Sequence, residues 1–173
     1  LGIILKDIGK SKEAELSYRK AIEINPDYAD AYLNLGIILK DIGKLKEAVL
    51  SYRKAIEINP DYPEAYLNLG NILKDIGKSK EAVLSYRKAI EINPDYPDAY
   101  LNLGIILKDI GKLKEAILSY RKVIEINPDY PEAYLNLGII LKDIGKSKEA
   151  VLSYRKAIEI NPDYPDAYLN LGI

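Results

Sequence analysis

The chain has 173 residues, with 25 Lys and Arg against 26 Asp and Glu, for a formal net charge of -1. That balance gives no reason to expect nucleic acid or an acidic membrane as partner, because both call for a basic surface. The absence of His and Cys removes the usual base near neutral pH, the commonest nucleophile pairs, disulfides and nearly all transition-metal sites, so neither a cofactor nor a metal is expected.

No apolar run approaches the roughly 20 residues a membrane-spanning helix needs. No signal peptide or lipidation motif is read, and the expected compartment is the cytoplasm. Residue 1 is Leu rather than Met, which points to a piece of something longer.

In chain order, the sequence is one unit copied with a period of 34 residues. Asn-Pro-Asp-Tyr begins at Asn25, Asn59, Asn93, Asn127 and Asn161. The units are 1–28 (lacking its first six positions), 29–62, 63–96, 97–130, 131–164 and a stub at 165–173, read as a single array over 1–173. A fixed period of this length is the mark of a repeat architecture.

Residues 97–130 show the elements of one unit. Pro97 suits the first turn of a helix, where its missing N–H costs nothing, and Asp98 favours the positive end of the helix dipole. Ala99, Tyr100, Leu103, Leu107 and Ile110 recur at three- and four-residue steps, the helical signature, and form the expected core set. Gly111 ends this first helix as a left-handed cap, and Lys112 and Leu113 turn the chain. A second helix is expected from about Lys114 to Ile126, stopped by Pro128.

Two short helices cannot bury such stripes alone, but stacked copies can. Gly104 and Ala116 are small enough to let the paired helices approach closely. The turn residue alternates Ser11, Leu45, Ser79, Leu113, Ser147, and the second position alternates Asp30, Glu64, Asp98, Glu132, Asp166. This suggests duplication of a block of two repeats. The singletons Glu15, Ala29, Asn71 and Val123 read as drift.

Tyr100-x2-Leu103-Gly104-x2-Leu107, then Ala116-x3-Tyr120, then Pro128, resembles the tetratricopeptide repeat. That motif has Trp-x2-Leu-Gly-x2-Tyr, Ala-x3-Phe and Pro at the same spacing. The resemblance covers the whole chain. It implies an all-α fold, a right-handed superhelical α-solenoid of antiparallel helix-turn-helix repeats. It also implies a protein- or peptide-binding scaffold whose first helices line a concave inner surface.

At about 100° per residue, Asp98, Asn102, Ile105 and Asp109 point away from the core set of the first helix, with Leu101 and Lys108 beside them. Copying makes rows of these residues. The expected peptide-binding set is Asn34, Asn68, Asn102, Asn136 and Asn170 for backbone contacts and Leu67, Leu101, Leu135, Ile105 and Ile139 for apolar contact. Lys74, Lys108, Asp75 and Asp109 flank them for orientation. The Asn row is similar to the asparagine ladder in the repeat domain of O-GlcNAc transferase, where side-chain amides hold an extended peptide. An amide has both donor and acceptor, so it pairs with a peptide backbone without reading side chains. The opposing reading is a wet polar position copied by duplication.

Near-identical repeats argue against an enzyme, because catalysis needs different groups in different roles around one point. Gly9-Lys10-Ser11 lacks the spacing and the preceding strand of a phosphate-binding loop. Two other readings stand beside the scaffold. The array is the substrate-presenting part of a larger enzyme such as a glycosyltransferase, or it assembles by head-to-tail stacking of its cut ends.

Overall fold

A computed structural model describes residues 10–172. The truncated first helix expected at the start of the chain, with Gly2 and Gly9, lies outside the described residues, as does residue 173.

The described residues form ten helices and no strand. They are α1 (Ser11–Ile24), α2 (Ala29–Asp41), α3 (Leu45–Ile58), α4 (Pro63–Asp75), α5 (Ser79–Ile92), α6 (Pro97–Asp109), α7 (Leu113–Ile126), α8 (Pro131–Asp143), α9 (Ser147–Ile160) and α10 (Pro165–Leu171). They gather into two compact units, Leu1–Pro94 and Asp95–Ile173. In the first, α2 pairs with α3 and α4 with α5, and α3 also packs on α4. In the second, α6 pairs with α7 and α8 with α9, and α7 packs on α8. Each unit is thus a stack of helix-turn-helix hairpins, the expected α-solenoid arrangement.

The repeated Asn-Pro-Asp-Tyr explains itself here. Asn127 leaves helical geometry at φ -134°, and its Oδ1 accepts the N–H of Asp129 at 3.1 Å. Asn25, Asn59 and Asn161 do the same for Asp27, Asp61 and Asp163. This Asx turn supplies a local partner where the helix stops, and the proline between prevents it from resuming. Tyr96 and its equivalents then precede a proline at the first helical position in α4, α6, α8 and α10, where an extended residue before proline is favoured.

Within a hairpin the first helix ends in a Schellman motif. Lys112 N–H bonds to Leu107 O at 2.8 Å and Gly111 N–H to Lys108 O at 2.9 Å. Gly111 has φ 78°, the left-handed conformation that a side chain resists. The second helix begins at Leu113, one residue earlier than expected.

The core differs from the single-helix reading in several respects, and Tyr100, expected in the core set, is only half-buried. Leu101 and Ile106 are buried, whereas Ile110 is 41% exposed. Ile110 lies past the last helical residue, so its periodic position no longer holds. Leu101 faces the following repeat. Its equivalent Leu135 is 6% exposed, but Leu169 in α10, which packs on α8 and α9, is 77% exposed. A first helix therefore buries two faces, one in its own hairpin and one in the stack.

One singleton adds polar stitching to the first unit. Glu15 stands where other repeats have Val or Ile, and it is buried. Arg19 bonds to it at 3.0 Å and Lys44 at 3.1 Å, while Arg19 also reaches Glu47 at 2.8 Å. Burial pushes the Glu15 carboxyl up, but the hydrogen bonds from Arg19 and Lys44 outweigh it and hold it below its ordinary range.

A β-carbon on Gly111 would meet nothing within 4 Å, so the cost of Gly111→Ala is conformational alone. Urea denaturation followed by circular dichroism is expected to show a loss of about 1–2 kcal/mol.

Candidate functional site

The accessible stripe of each first helix is built from residues four, three and four apart. On α4 these are Glu64, Asn68, Asn71 and Asp75, all exposed or half-buried, while Ala65, Leu67, Leu69, Gly70, Ile72 and Leu73 are buried. On α6 they are Asp98, Asn102, Ile105 and Asp109. Spacings of three and four place side chains on one helical face.

The asparagines are half-buried and similarly tied. The Nδ2 of Asn34, Asn68, Asn102, Asn136 and Asn170 donates to the carbonyl four residues earlier, at 2.8, 2.9, 2.9, 3.0 and 2.8 Å. One amide hydrogen is therefore spent on the helix. Among the described residues, nothing bonds to the other hydrogen or to Oδ1. Sequence reasoning missed this tie, although an Asn inside a helix commonly back-bonds its own turn. In the first unit α2 touches α4, and in the second α6 touches α8 and α8 touches α10. Asn34 and Asn68 thus lie on neighbouring helices, as do Asn102, Asn136 and Asn170.

The leucine part of the expected site needs correcting. Leu67, Leu101 and Leu135 are 8, 5 and 6% exposed, so they belong to the packed interior and offer a ligand almost no surface. Ile105 and Ile139 are half-buried and remain on the stripe, as do Lys74 and Lys108; Asp75 and Asp109 are exposed.

Two tyrosines join the stripe unannounced. Tyr62 Oη donates to Asp30 Oδ1 and Tyr130 Oη to Asp98 Oδ1, each at 2.7 Å. The tyrosine closing one repeat thus clasps the aspartate that opens it. The aspartate in question is the residue that alternates with Glu. Burial raises the Tyr62 and Tyr130 phenols, and the hydrogen bonds to Asp30 and Asp98 raise them further.

Beneath the stripe lie the second-helix tyrosines. Tyr52, Tyr120 and Tyr154 have hydroxyls without a protein hydrogen-bond partner. Tyr86 differs, because its Oη donates to Asn71 Oδ1 at 3.0 Å. Burial, then the nearby Asp41, Asp75 and Asp109 charges, push the Tyr52, Tyr86 and Tyr120 phenols well above their ordinary value.

A separate row went unread in the sequence. Leu16, Leu50 and Leu84 in the first unit and Leu118 and Leu152 in the second are 65–68% exposed on the second helices. Each falls off the apolar stripe of its own helix, which was the available signal. Among the described residues no cluster of His, Cys, Asp and Glu could hold a metal ion. No helix among them is long and apolar enough to cross a membrane.

A family model described as TPR repeat matches residues 2–43, 38–77, 70–111, 106–145 and 140–173. No curated protein matches the chain by sequence. Among solved structures, MamA is 30% identical, with 94% of this chain and 95% of that one covered and a TM-score of 0.87. YrrB, described as a TPR protein with an unusual peptide-binding site, is 26% identical, with 99% and 89% covered and a TM-score of 0.83. PilF of Pseudomonas aeruginosa shares the fold at 23% identity, with 98% and 77% covered and a TM-score of 0.88.

The tyrosines set the alkaline limit of the fold. Their folded pKa lies above the unfolded value of about 10, so the unfolded chain releases protons first as pH rises. Stability is therefore complete below about pH 10 and falls above it, by up to ~1.4 kcal/mol per pH unit for each fully buried tyrosine. A urea midpoint followed from pH 8 to 11 checks this, and Tyr52→Phe, Tyr120→Phe is expected to shallow the fall.

Proposed function

The chain belongs to the tetratricopeptide-repeat family, and from that premise we propose that it is a non-enzymatic, protein-binding scaffold whose first-helix asparagines hold the backbone of an extended peptide. The observation that carries this reading is the fixed amide. Each half-buried asparagine is oriented by a carbonyl of its own helix, and Oδ1 and one N–H are left over (Asn68 and Asn102 are typical). An amide already held in place loses little rotamer freedom on binding, which is the advantage of preorganisation.

The leftover atoms match what an extended peptide offers, an N–H and a C=O per residue. Each such bond contributes about 0.5–1.5 kcal/mol net, so several together give useful affinity with little dependence on peptide sequence. Ile105 and Ile139 supply apolar contact between the amides. Lys108 and Asp109 flank them and set direction. YrrB, a structural relative described by its peptide-binding site, supports the reading, as does the likeness to the asparagine ladder of O-GlcNAc transferase. The groups available in one repeat recur in the next, which suits a long, uniform ligand better than a reaction centred on one bond.

A peptide-array screen tests the reading. Changing Asn102, Asn136 and Asn170, which lie on neighbouring helices of the second unit, to Ala together is expected to weaken most binders at least tenfold, because three bonds of about 1 kcal/mol are lost. Unchanged binding with unchanged helicity would remove the asparagines from the site.

A further inference from the structure

The stripe is not uniform. At the position three residues after the asparagine of each first helix, Ile37, Ile105 and Ile139 present a half-buried hydrocarbon. In α4 the residue is Asn71, also half-buried. Its Oδ1 accepts the hydroxyl of Tyr86, whose ring is fully buried, at 3.0 Å. With the oxygen committed inward, both N–H groups of Asn71 remain as donors, and no acceptor among the described residues takes them.

This arrangement is not needed to satisfy the tyrosine. Tyr52, Tyr120 and Tyr154 occupy the same place in their hairpins and have no protein partner for the hydroxyl. The fold therefore accepts that position without an asparagine above it. What Asn71 changes is the chemistry of the accessible stripe. Asn68, one helical step away on the same face, has its Nδ2 tied to Glu64 O at 2.9 Å and keeps Oδ1 as an acceptor. Residues three apart on a helix have neighbouring side chains. So α4 presents a donor and an acceptor side by side, each held by a bond to its own repeat.

We propose that Asn68 and Asn71 form a polar subsite that takes the carboxamide side chain of an Asn or Gln in the bound peptide, and that Asn71 determines this specificity. A primary amide carries one acceptor oxygen and two N–H donors, the complement of the Asn71 N–H groups and the Asn68 oxygen. Tyr86 is the positioning residue, since its hydroxyl decides which end of the Asn71 amide points outward. The equivalent Ile105 and Ile139 in the second unit favour an apolar side chain. In the first unit, where Ile37 holds the equivalent position, one polar subsite thus gives the backbone-holding face a preferred register. The proposal rests on the first-helix face being the peptide site.

The experiment uses the whole chain and a random-sequence peptide library displayed on phage. The library is selected separately on the unaltered protein, Asn71→Ile and Tyr86→Phe, and selected peptides are then measured by calorimetry. Asn71→Ile restores the residue present in the other repeats, and circular dichroism is expected to show unchanged helicity. Peptides from the unaltered protein are expected to carry Asn or Gln at one position. Replacing that residue by Leu is expected to weaken them about 2- to 150-fold, the range of one or two neutral hydrogen bonds. Against Asn71→Ile the same replacement costs nothing or improves binding, and against Tyr86→Phe the preference shrinks while Leu-bearing peptides bind as before. Identical preferences on the unaltered and Asn71→Ile proteins overturn the subsite. If those peptides still lose binding when Asn34 and Asn68 become Ala, the peptide face survives without it. A library that yields no binder dependent on the asparagines overturns both.

Discussion

The structure depends on a ring placed where a side chain is missing. A β-carbon on Gly36, Gly70, Gly104 or Gly138 would lie 2.5 Å from Cε1 of Tyr52, Tyr86, Tyr120 or Tyr154, respectively. No pair of non-bonded carbons tolerates that distance, so glycine is what lets each tyrosine ring pack against the partner helix. The four rings are among the largest fully buried side chains, and aromatic rings dominate the burial energy of a small core. The distance between the two helices of a hairpin is set there. So is the position of the stripe on the outer side of the first helix, since Asn71 meets the hydroxyl at the far end of one such ring.

The stack follows from the same economy of parts. A hairpin buries one face of its first helix against the tyrosine and a second face against the following hairpin, as the contrast between Leu135 and Leu169 shows. The polar remainder is narrow, and it carries the accessible asparagines of that helix. The clasps of Tyr62 on Asp30 and Tyr130 on Asp98 bind the edge of that remainder within a unit. Ion pairs between second helices, such as Arg53 with Glu81 at 3.1 Å, are exposed and add little, as exposed pairs generally do.

Much of this was legible in the residues. The 34-residue period, the proline starts, the Gly111 stop and the closeness at Gly104 all rest on local rules of backbone geometry, and local rules read well from sequence. Leu67, Leu101 and Leu135 did not read well. A helical wheel assumes one buried direction, whereas a stacked helix has two, so it places residues of the second buried face on open surface. Ile110 failed because periodicity was extended past the point where the helix ends. The asparagine rows were found, but their ties to the carbonyls of Asp30, Glu64 and their equivalents were not, because a spare polar group was assumed to face outward unbonded. Glu15 and Asn71 read as drift in the sequence alone. Each lies against a partner distant in sequence, Lys44 and Tyr86, and only the fold brings those pairs together.

The most direct test of the glycine–tyrosine seam is a double-mutant cycle on Gly104 and Tyr120, read by urea denaturation. Gly104→Ala alone is expected to cost about 1–3 kcal/mol from overpacking. In a Tyr120→Leu background the ring is gone, and the same change is expected to cost nothing or to stabilise by up to about 1 kcal/mol through better helix propensity. An equal cost in both backgrounds would mean that the ring does not occupy the space the glycine leaves, and the account of the hairpin would be wrong.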